Sequence, residues 1–167
     1  MLAANTLTTR GSGQLDGKGV FQGHLINTGT FSPGGRELTE FTIEGDLDQV
    51  GLSSDGLPVS GAIVIDIGDD VQCDSADRID ITGTAVLGGA LIVRLGDACT
   101  DDDLPVGTQF TILTAGTIFG RFDAASLPTF SDERFMRLIY NTASDGGGEV
   151  VLEVTDLETM IELSLIH

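Results

Sequence analysis

The chain has 167 residues, 41% of them hydrophobic, and a formal net charge of −18. That length suits one domain with a real core, and that apolar share excludes a disordered chain. The charge excludes nucleic acid and direct membrane insertion, because phosphates would be repelled and no apolar run is long enough to span a bilayer as a helix.

Glycine is abundant, at 23 residues, and proline scarce, at four, with no Gly-X-Y period to suggest collagen. Many Thr, Ile and Val among so many glycines predict numerous short strands joined by tight turns. Residues 1–13 lack the basic-then-apolar pattern of a signal peptide, so none is expected there. Residues 1–19 read as a polar lead-in or first coil, with a weak strand at 5–9. Residues 20–31 read as two very short strands with a turn at 27–29, and Ser32-Pro33-Gly34-Gly35 is a strong turn. Phe41-Thr42-Ile43-Glu44-Gly45-Asp46-Leu47 alternates apolar and polar, as a half-buried strand does. Residues 53–58 read as a loop, and in 62–67 Ile63, Ile65 and Ile67 share one face.

An acidic loop, 68–76, carries Cys73. Strands are expected at 78–85, 90–95 and 109–114, separated by Gly88-Gly89 and by a second acidic loop, 99–105, that begins with Cys99. Residues 115–122 read as a bend and a short strand, and 124–133 as a longer connection. Two strands, 135–140 and 149–155, form a hairpin around Ser144-Asp145-Gly146-Gly147-Gly148. The tail, 156–167, is apolar: Leu157, Met160, Ile161, Ser164 and Leu165 fit helical spacing behind Asp156 as N-cap, while Ile161, Leu163, Leu165 and Ile166 also suit a strand. The spacing favours the helix. The expected core is Ile65, Ile79, Ile81, Leu91, Val93, Phe110 and Ile112.

The fold class is all-β. The distance between successive strands is irregular, so no fixed repeat is visible, yet irregular coils with Gly and Asn turns suit a parallel β-helix in which inward side chains stack as ladders.

The ordered blocks GSGQLDGKGVFQGHLINTGTFSPGG, FTIEGDL, AIVIDIG, DRIDITGTAVLGGALIVRL and LPVGTQFTILTAGTIFGRFD carry a likeness over residues 11–155. Together they resemble the C-terminal end of autotransporter-type β-helix passengers. The resemblance implies a right-handed parallel β-helix with irregular coils and a C-terminal β-sandwich-like cap, 20–155 forming the module. It also implies an end that helps nucleate folding after secretion, in an extracellular or cell-surface setting. Nothing after Thr155 resembles a translocator barrel, which fits a module of a larger secreted or surface protein without one.

The candidate sites are few. Cys73 and Cys99 could close one disulfide, worth roughly 3–4 kcal/mol by chain entropy, or remain separate thiols. Asp69, Asp70, Asp101, Asp102 and Asp103 are weak Ca²⁺ candidates, since Ca²⁺ takes several oxygens from one flexible loop, but neither loop has an EF-hand or nonapeptide pattern. No other cofactor is expected. Asp66, Asp69, Asp70, Asp77 and Asp80 supply carboxylates a glycosidase would need, but their abundance removes the information. His24 is the only internal histidine and there is no G-x-S-x-G elbow, so it is expected to be an ordinary strand residue. Met160, Ile161, Leu163 and Leu165 could cap their own molecule or dock on a neighbour. The expectation is a non-enzymatic structural module that extends, caps or displays a β-helical stalk. Its partners would be flanking domains of a larger surface protein, or itself, head to tail. The alternatives are a protomer of an extracellular filament and an adhesive or carbohydrate-binding module.

Overall fold

The computed structural model describes residues 5–35, 37–52, 55–145 and 147–165. The predicted loop at 53–58 lies partly outside them. Fourteen strands follow in order: β1 (Thr6–Gly17), β2 (Gly19–Gln22), β3 (His24–Pro33), β4 (Glu40–Glu44), β5 (Leu47–Asp48), β6 (Val50–Leu52), β7 (Pro58–Ser60), β8 (Ala62–Ile67), β9 (Arg78–Leu87), β10 (Ala90–Leu95), β11 (Gln109–Gly120), β12 (Ala124–Ser126), β13 (Arg134–Thr142) and β14 (Gly148–Asp156). One helix, α1 (Leu157–Leu165), ends the described chain. No helix among the described residues is long and apolar enough to cross a membrane.

The strands form one curled, mixed sheet, with β6 and β7 as a separate antiparallel pair. Most pairings are parallel and join segments far apart in sequence. β2 pairs with β4, β4 with β9, and β9 with β11. β1 pairs with β3, β3 with β5 and β8, β5 with β9, β8 with β10, and β10 with β12. The order reverses at the end, where β11 pairs antiparallel with β14 and β14 with β13.

In-register parallel pairing puts like positions on top of one another, and here it stacks apolar side chains. Phe21, Ile43, Ile81 and Ala115 form one column. Leu7, Leu25, Leu47, Ala85 and Ile118 form a second. Leu15, Phe31, Ile63, Leu91 and Ala125 form a third. The inner rungs Leu25, Phe31, Ile43, Leu47 and Leu91 are fully buried, and all seven expected core residues are buried as well. Phe31 and Phe41 meet edge to face, with centroids 5.1 Å apart, a geometry that adds to the gain from burial. Met136 is buried at the far end, and Phe122, Leu127, Phe130, Leu138 and Tyr140 pack against the same core.

The corner between the second and third columns is a stack of glycines. A Cβ on Gly29 would lie 2.3 Å from the Gly13 carbonyl oxygen, one on Gly61 2.4 Å from that of Asn27, and one on Gly89 2.2 Å from that of Gly61. Backbones therefore meet at this corner at distances only glycine allows, which accounts for part of the glycine content.

Three predictions need correction. The turn at 27–29 does not exist: β3 runs straight through it, because the Asn27 amide is held by tertiary partners. The weak strand expected at 5–9 is the start of the longer β1, which runs to Gly17 and pairs with β3 in the same sheet as the rest. The bend and short strand expected at 115–122 are the end of β11, which runs to Gly120 with a register shift between Ala115 and Thr117 in its pairing with β9.

Candidate functional site

The polar groups gather in two places: inside the curl and at the disulfide-bound rim. Inside, Thr9, Asn27 and Gln49 form a buried ladder. The Thr9 hydroxyl donates to Asn27 Oδ1 at 2.5 Å, and Asn27 Nδ2 donates to Gln49 Oε1 at 2.6 Å and to the Ala62 carbonyl at 2.9 Å. The Gly29 N–H donates to Thr9 Oγ1 at 3.2 Å. These amides are out of water, so each needs its partner.

The rim is built where β8 and β10 end. Cys73 and Cys99 are joined by a disulfide with Cα atoms 5.0 Å apart, tying the loop after β8 to the loop after β10. Gly68 makes room for it: its φ is +68°, and a Cβ there would lie 2.3 Å from Cys99 Sγ. Beside the bridge is an open cleft of about 220 Å³ whose charged lining is Asp66, Asp69, Asp70, Arg94 and Asp97. That is below the usual range for small-molecule sites.

Two of the charges at this cleft are paired with each other. Arg94 grips Asp66 with both arms of its fork, Nε to Oδ1 at 2.7 Å and Nη2 to Oδ2 at 2.8 Å, the bidentate geometry that makes such pairs strong. Behind them Asp77 is fully buried. Its Oδ1 accepts the Thr39 N–H and its Oδ2 the Asp66 N–H, each at 2.9 Å. Burial pushes the Asp77 carboxyl up to about 7, against the two backbone donors, which act to lower it. Its own N–H donates to the Asp66 carbonyl at 2.8 Å. Asp77 therefore fastens the start of β9 to β8 and to the approach to β4.

The five Ca²⁺ candidates do not converge. Asp69 Oδ1 accepts the N–H groups of Val71 and Gln72 at 2.7 and 2.9 Å, which hold its carboxyl below the usual range. Asp101 to Asp103 form a short 3₁₀ turn. Asp103 Oδ2 accepts the Thr100 N–H and hydroxyl at 2.9 and 2.7 Å. Asp101 turns toward Ser131, accepting its N–H at 2.9 Å and its hydroxyl. Asp70 and Asp102 are exposed. Among the described residues no three His, Cys, Asp or Glu form a group that could hold a metal ion. His24 Nε2 lies 3.0 Å from Asp48 Oδ2 on a strand face, apart from this rim.

In the tail, none of the residues of α1 is buried. Met160, Ile161, Leu163 and Leu165 are all exposed, and Met160 Sδ lies 3.0 Å from Arg137 Nη1. Asp156 accepts the Thr159 N–H at 2.7 Å, as an N-cap does.

Sequence reasoning passed over the Thr9–Asn27–Gln49 ladder and the role of Asp77. The first had no signal, because Asn-Thr-Gly looks like a turn. The second had a faint one: an acid set immediately before an alternating apolar strand. The chain matches no protein-family model and no curated protein sequence.

Proposed function

We propose that this chain is a non-enzymatic structural module of a secreted or cell-surface protein, built as an irregular parallel β-helix that ends a stalk. The observation that carries this reading is the set of three stacked apolar columns, the first of which reaches β11 at Ala115, where β11 turns to antiparallel pairing with the β13–β14 hairpin. A stalk needs coils that add by repetition, and the columns are what repetition leaves behind. The hairpin of β13 and β14 stops that addition, in the manner expected of a capping unit. The ordered likeness to autotransporter-type passengers supports the same reading. So does the disulfide, since such bridges persist in oxidising compartments.

The polar side chains described above serve turns, staples and ladders rather than an open reaction centre. At the cleft, Asp77 is buried against two backbone donors and Asp66 is neutralised by Arg94.

The test is a pair of substitutions. Ile81 is buried at 4% exposure in the middle of a column, and an aspartate there would bury a charge with no partner. Ile81→Asp is expected to abolish the cooperative unfolding transition, whereas Asp102→Ala, on an exposed turn, should leave it in place. A soluble, cooperatively melting Ile81→Asp protein would sink the stacked-coil reading. The secreted setting is tested by thiol blocking of the native protein at lysis, which should find no free cysteine.

A further inference from the structure

The chain from Asp66 to Asp77 is a tight hairpin at the rim. Its arms meet at the bridge between Ile67 and Ala76. The Asp77 N–H donates to the Asp66 carbonyl and the Gly68 N–H to the Ser75 carbonyl, both at 2.8 Å. The Asp69 N–H closes the tip on the Gln72 carbonyl at 2.9 Å. The hairpin in turn holds the exit of β10. The Gly96 N–H donates to the Ile67 carbonyl at 2.8 Å and the Ala98 N–H to the Asp69 carbonyl at 3.1 Å.

Little apolar burial keeps this hairpin shut. Ile67 is buried and Ala76 half-buried against the core, but Val71 at the tip is 85% exposed. Its acids, Asp66, Asp69, Asp70, Asp74 and Asp77, have no base on the same segment. A segment of this kind opens locally at a lower cost than the core. Two fastenings oppose the opening. Towards the tip is the Cys73–Cys99 bridge. At the foot is the Asp77 carboxyl, 0% exposed, which accepts the Asp66 N–H from the opposite arm and the Thr39 N–H from outside the hairpin.

Burial is the main influence on the Asp77 carboxyl and favours its neutral form. The two backbone donors oppose burial, the charge of Asp66 on β8 adds to it, and Arg94 on β10 opposes it. The approach to β4 brings the Thr39 N–H. Opening the hairpin lets water reach the carboxyl, where the ionised form is favoured. Ionised Asp77 therefore pulls towards the open hairpin, and the bridge pulls towards the closed one. Two groups that act on one equilibrium are coupled, and the coupling is reciprocal.

We propose that the hairpin Asp66–Asp77 is a latch with two coupled fastenings: cutting the Cys73–Cys99 bridge lets Asp77 ionise, and ionised Asp77 makes the bridge easier to reduce. The reductant is a dithiol. Its thiolate attacks one sulfur and breaks the S–S bond, which gives a mixed disulfide and a cysteine thiolate that takes a proton from water. The second thiol of the reductant loses its proton, displaces the other cysteine and leaves as a cyclic disulfide. Two electrons pass to the bridge, and the Asp77 proton goes to solvent as the hairpin opens. The latch needs the rim alone and is independent of the stalk reading.

The first test is carbon-detected NMR of the Asp77 carboxyl from pH 4 to 9, assigned by its loss in Asp77→Asn. The oxidised chain is compared with chain reduced beforehand by dithiothreitol. The midpoint, near 7 with the bridge intact, should fall by at least about one pH unit on reduction, towards the range of a solvated carboxyl. An unchanged midpoint would overturn the latch. The converse is read in dithiothreitol redox buffers at pH 6 and pH 8, on the parent chain and on Asp77→Asn. The variant keeps both cysteines, so their own ionisation cancels. From pH 6 to pH 8 the parent bridge should become about five- to tenfold easier to reduce relative to the variant. Equal pH dependence in the two chains would count against the coupling. Amide hydrogen exchange needs no variant. In the reduced parent chain, raising the pH should speed exchange at Gly68, Asp69, Gly96 and Ala98 beyond the intrinsic increase. Leu25 and Gln49, whose N–H groups donate to Asp46 and Val86, should stay protected. Loss of protection at those two as well would mean that the whole fold opens, and the idea of a local latch would fail.

Discussion

Asp77 makes the sharpest residue-scale prediction. Its carboxyl titrates near 7 in the fold, and in the ordinary carboxylate range once the chain unfolds. Between those values the folded state holds a proton that the unfolded state has released. The stability from this group is therefore complete below the unfolded value and is lost as pH rises through about 7, at a limiting slope of about 1.4 kcal/mol per pH unit. Unfolding free energy measured by denaturant titration from pH 5 to 8 should fall with rising pH. Asp77→Asn should flatten that slope. It should also cost roughly 1–3 kcal/mol, because the amide NH₂ must face a backbone N–H that the carboxylate had accepted. An Asn variant with the parent slope would show that another group sets it. This residue was barely legible in the sequence, where it is one of many aspartates. What distinguishes it is burial and two donors from distant segments, and neither leaves a local trace.

At the scale of elements, the strands that were legible are those whose alternation is set by their own burial. β8 and β10 were bounded correctly because Ile63, Ile65, Leu91 and Val93 face the core at every second position. β3 was misread because Asn27-Thr28-Gly29 has turn chemistry by any local rule. Gln49 and the Ala62 carbonyl satisfy the Asn27 amide from other segments, and a local reading cannot see them. The helix α1 was legible from its spacing and its Asp156 cap. The disulfide belongs to this scale because it links two loops rather than two core residues. With a sequence separation of 26 between its ends, chain entropy assigns it about 3.5 kcal/mol. Replacing both cysteines by alanine should lower the unfolding free energy by about that amount. Reductant should lower the melting temperature of the parent chain but not of the double variant. If the parent melts at the same temperature with and without reductant, the bridge does not set global stability.

Across the whole molecule, the stacking was hidden because its intervals vary. Gln22 stacks on Glu44 after 22 residues, Thr39 meets Asp77 after 38, and Asp80 meets Thr114 after 34. The β6–β7 hairpin and the disulfide-bound loop take up the difference, so no fixed period survives in the sequence. The same stacking concentrates charge. Outward side chains are brought about 4.8 Å apart from coil to coil, and with 26 acids against 8 bases most of those neighbours repel. Among the described residues five Lys or Arg ion pairs act in the other direction, too few to offset the excess, and the exposed ones contribute little. Screening should therefore stabilise the fold at neutral pH. As NaCl rises toward a few tenths molar the Debye length shrinks to less than about 10 Å, and the melting temperature should climb. Each 1 kcal/mol gained is worth about 2–4 °C at this chain length. The climb should level off once screening is complete, whereas a general solute effect would continue linearly. A melting temperature that falls with added salt would mean that ion pairs such as Arg94–Asp66 outweigh the repulsion among the remaining acids.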